Sequence, residues 1–466
     1  MPLVAGVDSS TSACKVEIRD ADTGEVVASG RAAHPATTPP RSEQDPAAWA
    51  AAFDAAWAEA GADGSNRPAA IAIAGQQHGM VVSDADGTPL RAAKLWNDTE
   101  SAPDADALVA ELGAAAWAAA CGSVPVPSFT ITKLRWLRRN EPDVFARVAR
   151  VQLPHDWLTA RLTGRSTTDR GDVSGTGWWS PAEERYRLDL LGLVDPDTDW
   201  LPMLPAVLGP TQAAGEWHGI VVAPGTGDNM AAALGLGLRP GDLAISLGTS
   251  GTAFAVRAEP GNDATGIVAG FADANGRHLP LVCTLNATKV TDAVARLLGV
   301  DAATLDQLAA RVPCGADGVT LVPHLDGERT PNLPDATGTL VGMRSDISRE
   351  QFARAAFDGV VCNLLAGADH LGPCDGRVFL VGGGARSATY RQTVADLTGT
   401  NVIVPRDQEL VARGAAVQAA AALLGTSIDE VMDAWALDAV HVEADTTIDR
   451  NGVREAFAAA AAHARR

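Results

Sequence analysis

The sequence predicts an α/β protein of two domains with a duplicated architecture. Three observations carry this expectation. The chain has 466 residues, more than one hydrophobic core usually supports. Apolar strands, tight turns and helices alternate along it. A strand–turn–strand pattern near the N-terminus returns halfway along. Hydrophobic residues make up 46% of the chain and charged residues 20%, which is ample apolar material for two cores.

In chain order, Leu3–Asp8 reads as the first strand, Ser9-Ser10-Thr11-Ser12 as a polar turn and Ala13–Arg19 as the second strand. A turn at Asp20–Gly24 leads into a third strand over Glu25–Gly30. A helix is expected over Pro46–Ala60, because Asp45 can cap it and Pro46 suits its first position. The apolar run Ala69–Ala74 is then a strand ending in Gly75. Gly164–Gly227, with Trp178, Trp179, Trp200 and Trp217, reads as irregular structure. The opening pattern returns as a strand Leu243–Leu247, a turn Gly248-Thr249-Ser250-Gly251 and a strand Thr252–Val256. A helix near Arg349–Leu371, a strand Arg377–Val381, the run Gly382-Gly383-Gly384 and a helix from near Ser387 follow, and the Ala-rich tail from Arg454 reads as helical. These features place an N-terminal domain over residues 1–238 and a C-terminal domain over 239–466.

The 37 Lys and Arg against 57 Asp and Glu give a formal net charge of −20, which repels nucleic-acid phosphates and anionic membrane surfaces. With no basic patch in the sequence, the expected partners are small molecules rather than nucleic acid or membrane; a homodimer is left open. Cys14, Cys121, Cys283, Cys314, Cys362 and Cys374 lack metal-ligand spacing and are expected to be buried free thiols. With no signal-like segment before the first strand and no run of roughly 18 apolar residues, the sequence is read as cytoplasmic.

Several short segments carry chemistry. Asp8 closes an apolar strand ahead of a turn of small hydroxyl residues, a geometry that aims backbone N–H groups at phosphate while the carboxylate holds Mg²⁺ through water. Ser246–Thr252 is a second such loop, whose glycines permit close backbone approach. Gly225-Thr226-Gly227-Asp228-Asn229 puts a carboxylate ahead of a helix expected over Met230–Gly237, where the helix dipole favours its ionised form; this suits a base and equally an N-cap. Gly75-Gln76-Gln77-His78-Gly79 and Leu95-Trp96-Asn97-Asp98 supply amide, imidazole, indole and carboxylate groups, as recognition of a polyhydroxylated sugar requires. Gly382-Gly383-Gly384 lets a strand run through glycines into a helix, a nucleotide-approach geometry.

Taken in order, Ser42–Pro46, Gly75–Gly79, Leu95–Asp98, Leu153–Leu158, Gly227–Asn229, Ser246–Gly251, Gly327–Pro331 and Gly382–Ser387 resemble the FGGY family of carbohydrate kinases over essentially the whole chain. Two further signature stretches fit: Ser128–Asn140 with Lys133 and Trp136, and Gly338–Asp358 with Gly342. Both read as mainly architectural. The resemblance implies two actin/hexokinase-like (ribonuclease H-like) domains around a cleft, with ATP and Mg²⁺ as cofactors and D-xylulose as the sugar. It implies that Asp228 accepts the sugar's proton and that Gln77, His78, Trp96, Asp228 and Asn229 contact the sugar. Asp8 belongs to the Mg-ATP site, Thr11, Ser12, Gly248, Thr249 and Ser250 face the phosphates, and Gly383 and Gly384 line the adenosine pocket. Two residues depart from the family pattern: Ser10 stands where Gly is usual, and Gln77 where the xylulose-specific branch often has Met. Other acceptors in the family are ribulose, hexuloses, gluconate and glycerol; glycerol is disfavoured because Gln-His-Gly stands where glycerol kinases use an Arg-Glu pair. A non-catalytic sugar- or ATP-binding protein is the reading from another class, and the intact Asp8 and Asp228 speak against it.

Overall fold

The computed structural model describes residues 2–464. The chain forms two compact units. The first takes in the chain up to Leu238 together with Arg257–Leu279 and Glu409–Leu437; the second holds Arg239–Val256, Pro280–Gln408 and the chain from Asp438 onward.

In the first unit, β1 (Leu3–Ser9), β2 (Ala13–Asp20) and β3 (Val26–Ala33) form an antiparallel meander. Helix α1 (Pro46–Glu59) follows, and the Asp45 carboxylate caps it by accepting from the Ala47 N–H at 2.9 Å. Next come β4 (Ala70–Gly75), α2 (Pro154–Thr163), the short α3 (Arg170–Val173), β5 (Gly215–Trp217), β6 (Ile220–Val222), β7 (Thr226–Gly227) and α4 (Asp228–Leu236). The sheet order is β5-β6-β4-β1-β2-β3, with β7 pairing β4. Strand β4 runs parallel to β1, to β6 and to β7. Every residue of β4 is buried, as a central strand covered on both faces should be.

Trp49, Phe53 and Trp57 recur at four-residue spacing on α1 and are buried in the same core as Val7, Val16, Ile18, Ile71 and Ile73 of the sheet. Burying a side chain such as Phe53 contributes about 1.5–3 kcal/mol. On the other face the helix Leu410–Leu424 crosses close to α4 and β1. A Cβ on Gly414 would lie 1.7 Å from the Ala231 carbonyl oxygen, and one on Gly235 would lie 2.0 Å from that of Leu410. Only glycines allow two helix backbones to approach so closely. This burial explains why a segment so late in the chain belongs to the first unit.

The second unit repeats the topology. Strands β8 (Leu243–Leu247), β9 (Gly251–Ala255) and β10 (His278–Thr284) form an antiparallel meander, β10 pairing through Leu281–Thr284. The long helix α5 (Arg349–Ala368) follows, ending in a 3₁₀ turn at Asp369–Leu371. Then come β11 (Val378–Val381), α6 (Ala388–Thr398), β12 (Val402–Pro405) and β13 (Ala439–Val442). Strand β11 runs parallel to β8, and β12 parallel to β11. The duplication expected from two short strand–turn–strand patterns is thus a duplication of topology: a meander whose first strand is continued sideways by a later, parallel strand.

The region 164–227 contains only short strands and helical turns. Cys14, Cys121 and Cys362 are buried free thiols, but Cys283, Cys314 and Cys374 are only partly buried. Among the described residues no single helix is long and apolar enough to cross a membrane. The tail helix spans Arg450–Ala464, and residues 465 and 466 lie outside the described residues.

Gly414→Val places branched carbons where the Ala231 carbonyl lies, so it should destabilise the first unit by roughly 3 kcal/mol. Denaturant unfolding followed by tryptophan fluorescence measures this; a variant as stable as the parent contradicts the helix crossing.

Candidate active site

The register of three parallel strands assembles the site. Ser9 of β1 and Gly227 of β7 both sit opposite Gly75 of β4. Asp8, the segment Gln76-Gln77-His78 and Asp228 therefore emerge side by side at the carboxyl ends of neighbouring strands, where open α/β sheets place their ligands.

Asp8 is 3% exposed, and both its oxygens are bonded. Ser10 donates its hydroxyl to one, and the Lys15 ammonium lies 3.2 Å from the other. Lys15 sits directly opposite Asp8 in the β1–β2 pairing, so the hairpin itself brings the cation to the acid. Lys15 also reaches Glu409 at 2.5 Å. Burial works against the Lys15 charge, but the two carboxylates outweigh it and hold Lys15 above its ordinary value. The Ser9–Ser12 turn is tied down by its neighbours. His34 Nδ1 donates to the Ser10 carbonyl at 2.9 Å, Gln44 donates to that of Thr11 at 3.1 Å, and the Trp96 indole N–H donates to the Thr11 hydroxyl at 2.8 Å. Trp96 keeps 42% of its surface exposed, enough to present an aromatic face, while Ser12 is exposed on the same turn.

Asp228 opens α4 as its first helical residue, with Gly227 in the cap position; the N-cap alternative does not hold. One oxygen of its half-buried carboxylate accepts from the Asn229 backbone N–H at 2.9 Å. The Asn229 amide in turn donates to the Gln77 side-chain oxygen at 2.7 Å. Gln77 is 4% exposed and its amide nitrogen has no partner among the described residues, an orphaned donor of the kind a ligand hydroxyl satisfies. The expectation that the helix N-terminus keeps Asp228 ionised is corrected. Burial pushes Asp228 up to about 8, the charges of Asp8 and Asp172 add to the shift, and the amides of Asn229 and Asp228 only partly oppose it.

His78 has φ of 64°, a left-handed conformation that a non-glycine residue holds at a cost of roughly 1–3 kcal/mol. Its surroundings fix it there. Nδ1 faces the Gly175 carbonyl at 2.8 Å, and because a carbonyl only accepts, Nδ1 carries the proton. The ring stacks on Phe129 at 5.1 Å between centroids and meets Phe271 at 5.4 Å. Lys133, fully buried, donates to the carbonyls of Pro127, Ser128 and Phe129, so this architectural lysine also seats the ring beneath His78. Burial pulls Lys133 down to about 7. Glu43, Asp98 and Glu100 lie close enough together to hold a metal ion, but side-chain cations already occupy them: the Lys94 ammonium lies 2.9 Å from Asp98 and 2.6 Å from Glu100, and Arg41 and Arg91 pair with Glu43. This cluster anchors the segment that carries Trp96.

In the second unit, Thr249 and Ser250 are exposed at the tip of the β8–β9 turn. The carbonyls of Gly248 and Thr249 accept from the N–H groups of Thr288 and Ala287 at 3.0 and 3.1 Å. Gly382, at φ of 85°, and Gly384 pack against Leu247 at the base of the same turn. A Cβ on Gly383 would meet nothing within 4 Å, so the backbone there is open to a ligand. The structure thus brings Gly248, Thr249, Ser250, Gly383 and Gly384 into one neighbourhood within this unit. Glu328 of the Gly327–Pro331 stretch is buried, taking hydrogen bonds from Leu285, Asn286, Arg329 and Asn363. Asp358 takes Arg354 at 2.7 Å and the Gly315 N–H at 2.8 Å, the architectural role expected of its stretch.

The N-terminal domain of the FGGY family of carbohydrate kinases matches residues 3–235 and its C-terminal domain residues 243–423. The chain belongs to this family. Among the family's curated proteins, the xylulose kinase of Streptomyces coelicolor is 48% identical over 96% of this chain and 95% of its own. That of Escherichia coli is 34% identical over 84% of each chain. The crystal structure of xylulose kinase from Bifidobacterium adolescentis superposes with a TM-score of 0.89 at 41% identity, covering 99% of both chains.

Sequence reading missed Lys15, Phe129, Phe271 and the buried His155–Asp172 pair. Lys15 was legible, since the hairpin register puts it opposite Asp8. Phe129 and Phe271 come from segments far from His78 in the chain, and no local pattern connects them.

An elevated Asp228 has a thermodynamic signature. A carboxyl that binds its proton more tightly folded than unfolded adds stability at low pH, and loses it as pH rises from its ordinary 3.8 through about 8. The melting temperature of Asp228→Asn, minus that of the parent, should therefore climb from pH 4 to about pH 8 and level off. A difference that stays flat over this range contradicts the elevated carboxyl.

Proposed function

We propose that this FGGY kinase transfers the γ-phosphate of ATP to the terminal O5 hydroxyl of D-xylulose, with Asp228 taking the hydroxyl's proton. The observation that carries the reading is the chain Asp228–Asn229–Gln77, ending in an orphaned amide donor beside His78. It offers one group to accept a proton and others to hold neighbouring hydroxyls. The similarity to xylulose kinases supports the choice of sugar.

Asp228 suits the role for a physical reason. A carboxylate with a raised proton affinity is a better base, and the elevation keeps it close to neutrality, where general bases work best. Gln77, His78 and Asn229 orient the sugar so that one hydroxyl faces Asp228, and Trp96 offers its indole face to the sugar's C–H groups. Thr11 and Ser12 on the N-terminal domain, and Gly248, Thr249 and Ser250 on the C-terminal domain, approach the phosphates through hydroxyl and backbone N–H groups. Gly383 and Gly384 leave space for adenosine.

Mg²⁺ fits the donors at Asp8, a hard carboxylate at a phosphate-binding turn. Because Ser10 and Lys15 occupy both Asp8 oxygens, the carboxylate would hold the ion through its water shell. When bound, Mg²⁺ neutralises charge on the triphosphate oxygens. The cytoplasm, with its supply of ATP, is the proposed location.

ATP turnover against a panel of pentuloses, hexuloses and polyols tests the reading, with D-xylulose expected among the best acceptors. His78→Ala should raise the KM for the sugar about tenfold and leave that for Mg-ATP nearly unchanged, because it removes one polar contact to the sugar. A poor response to D-xylulose would overturn the choice of sugar, and equal losses for both substrates would remove His78 from the sugar site.

A further inference from the structure

Beneath the turn that launches Asp228 lies a fully buried cluster that the proposed chemistry does not use. His155, on α2, faces Asp172, on α3, with Nδ1 2.7 Å from Oδ2 and neither side chain exposed. Asp169 lies beside them and caps α3, accepting from the N–H groups of Gly171 and Asp172. Each of the three residues before Asp228 lies next to a different member of this cluster. A Cβ on Gly225 would lie 2.4 Å from the Ile73 carbonyl oxygen and 2.9 Å from His155 Cδ2, so the imidazole is one of the groups that leave no room for a side chain there. Thr226 donates its hydroxyl to Asp169 Oδ2 at 2.7 Å. A Cβ on Gly227 would lie 2.7 Å from Gln77 Cγ and 3.0 Å from Asp172 Oδ1, an oxygen with no hydrogen-bond partner among the described residues.

We infer that His155, Asp169 and Asp172 are positioning residues for Asp228: they hold the Gly225–Gly227 turn in place and set the electrostatic environment of the base. The inference rests on the reading of Asp228 as the base. The alternative is that the cluster only fills space. Against it, three charged or titratable groups occupy a site without water contact, which is costly unless their charges are used, and all three contacts fall on consecutive residues of one turn.

The ionisable groups facing the pair are Asp156 from α2, whose oxygen lies 3.2 Å from His155 Nε2, Asp169 from the adjoining strand, and Asp228 from α4. Asp8 from β1 is the other carboxylate that acts on Asp228. Burial opposes the His155 charge, but Asp156, Asp172 and Asp169 together raise it to about 9, so the ring is an imidazolium at neutral pH. The charge of Asp172 makes ionising Asp228 harder.

Asp172→Asn tests this, because the amide oxygen still accepts from His155 while the charge is gone. The acidic limb of the kcat profile should move to lower pH by about half a unit or more, with the KM for ATP unchanged. A purely structural role would lower activity without moving the limb, so an unmoved limb in a folded variant overturns the inference. If Asp172→Asn does not fold, Thr226→Val decides. It keeps the shape and removes only the bond to Asp169, and kcat should fall about three- to tenfold at constant KM for ATP; an unchanged kcat overturns the inference. If Asp228→Asn itself turns over normally, the base assignment has failed. If Asp228→Asn is inactive while these variants behave as the parent, only the positioning role has.

Discussion

The site depends on the common register at which β1, β4 and β7 end. Ser9, Gly75 and Gly227 lie across from one another, so the chain leaves the sheet at the same level three times. A slip of one residue in either pairing would turn Asp8 or Asp228 toward the opposite face. What fixes the register is the buried apolar set on both faces of β1 and β4 and the close crossing of the helix Leu410–Leu424, which admits no side chain at Gly6, Gly235 or Gly414. Packing far from the chemistry thus determines which polar groups meet.

That arrangement gathers acids. Asp8, Asp169, Asp172 and Asp228 come from three segments of one unit, where Lys15 pairs with Asp8 and His155 lies against Asp169 and Asp172. Burial and mutual repulsion both favour the protonated form of a carboxylate, so Asp228 sits well above its ordinary range. A phosphoryl-transfer site gains from this. On the proposed reading, an acid that accepts a proton and a turn that receives a triphosphate are parts that require positioning more than covalent chemistry. The Ser10 hydroxyl, present where the family usually has glycine, acts in the same neighbourhood by bonding Asp8.

Much of this was legible in the sequence, for identifiable reasons. The strand–turn–strand patterns at Leu3–Gly30 and Leu243–Val256 are local signals, and the strands lie within a residue or three of where alternation and turn chemistry place them. The motif order gave the family and its candidate residues. The proton affinity of Asp228 was misjudged because a helix N-terminus is visible in sequence, whereas the burial and the approach of Asp172 from 56 positions upstream are not. The assignment of 257–279 and 409–437 to the first unit likewise depends on long-range packing. His155 stood in a recognised stretch without a role, because its partner Asp172 belongs to no motif.

The central claim is that Asp228 is the base and Asp8 serves the metal–nucleotide side. Single-turnover phosphoryl transfer in Asp228→Asn and Asp8→Asn, over a range of Mg²⁺ concentrations, tests it most directly. The account predicts that Asp228→Asn slows transfer by roughly 10²–10⁴-fold at every Mg²⁺ concentration while ATP still binds, and that Asp8→Asn raises the Mg²⁺ requirement with sugar binding largely spared. Near-normal transfer in Asp228→Asn, or its rescue by added Mg²⁺, would contradict the account.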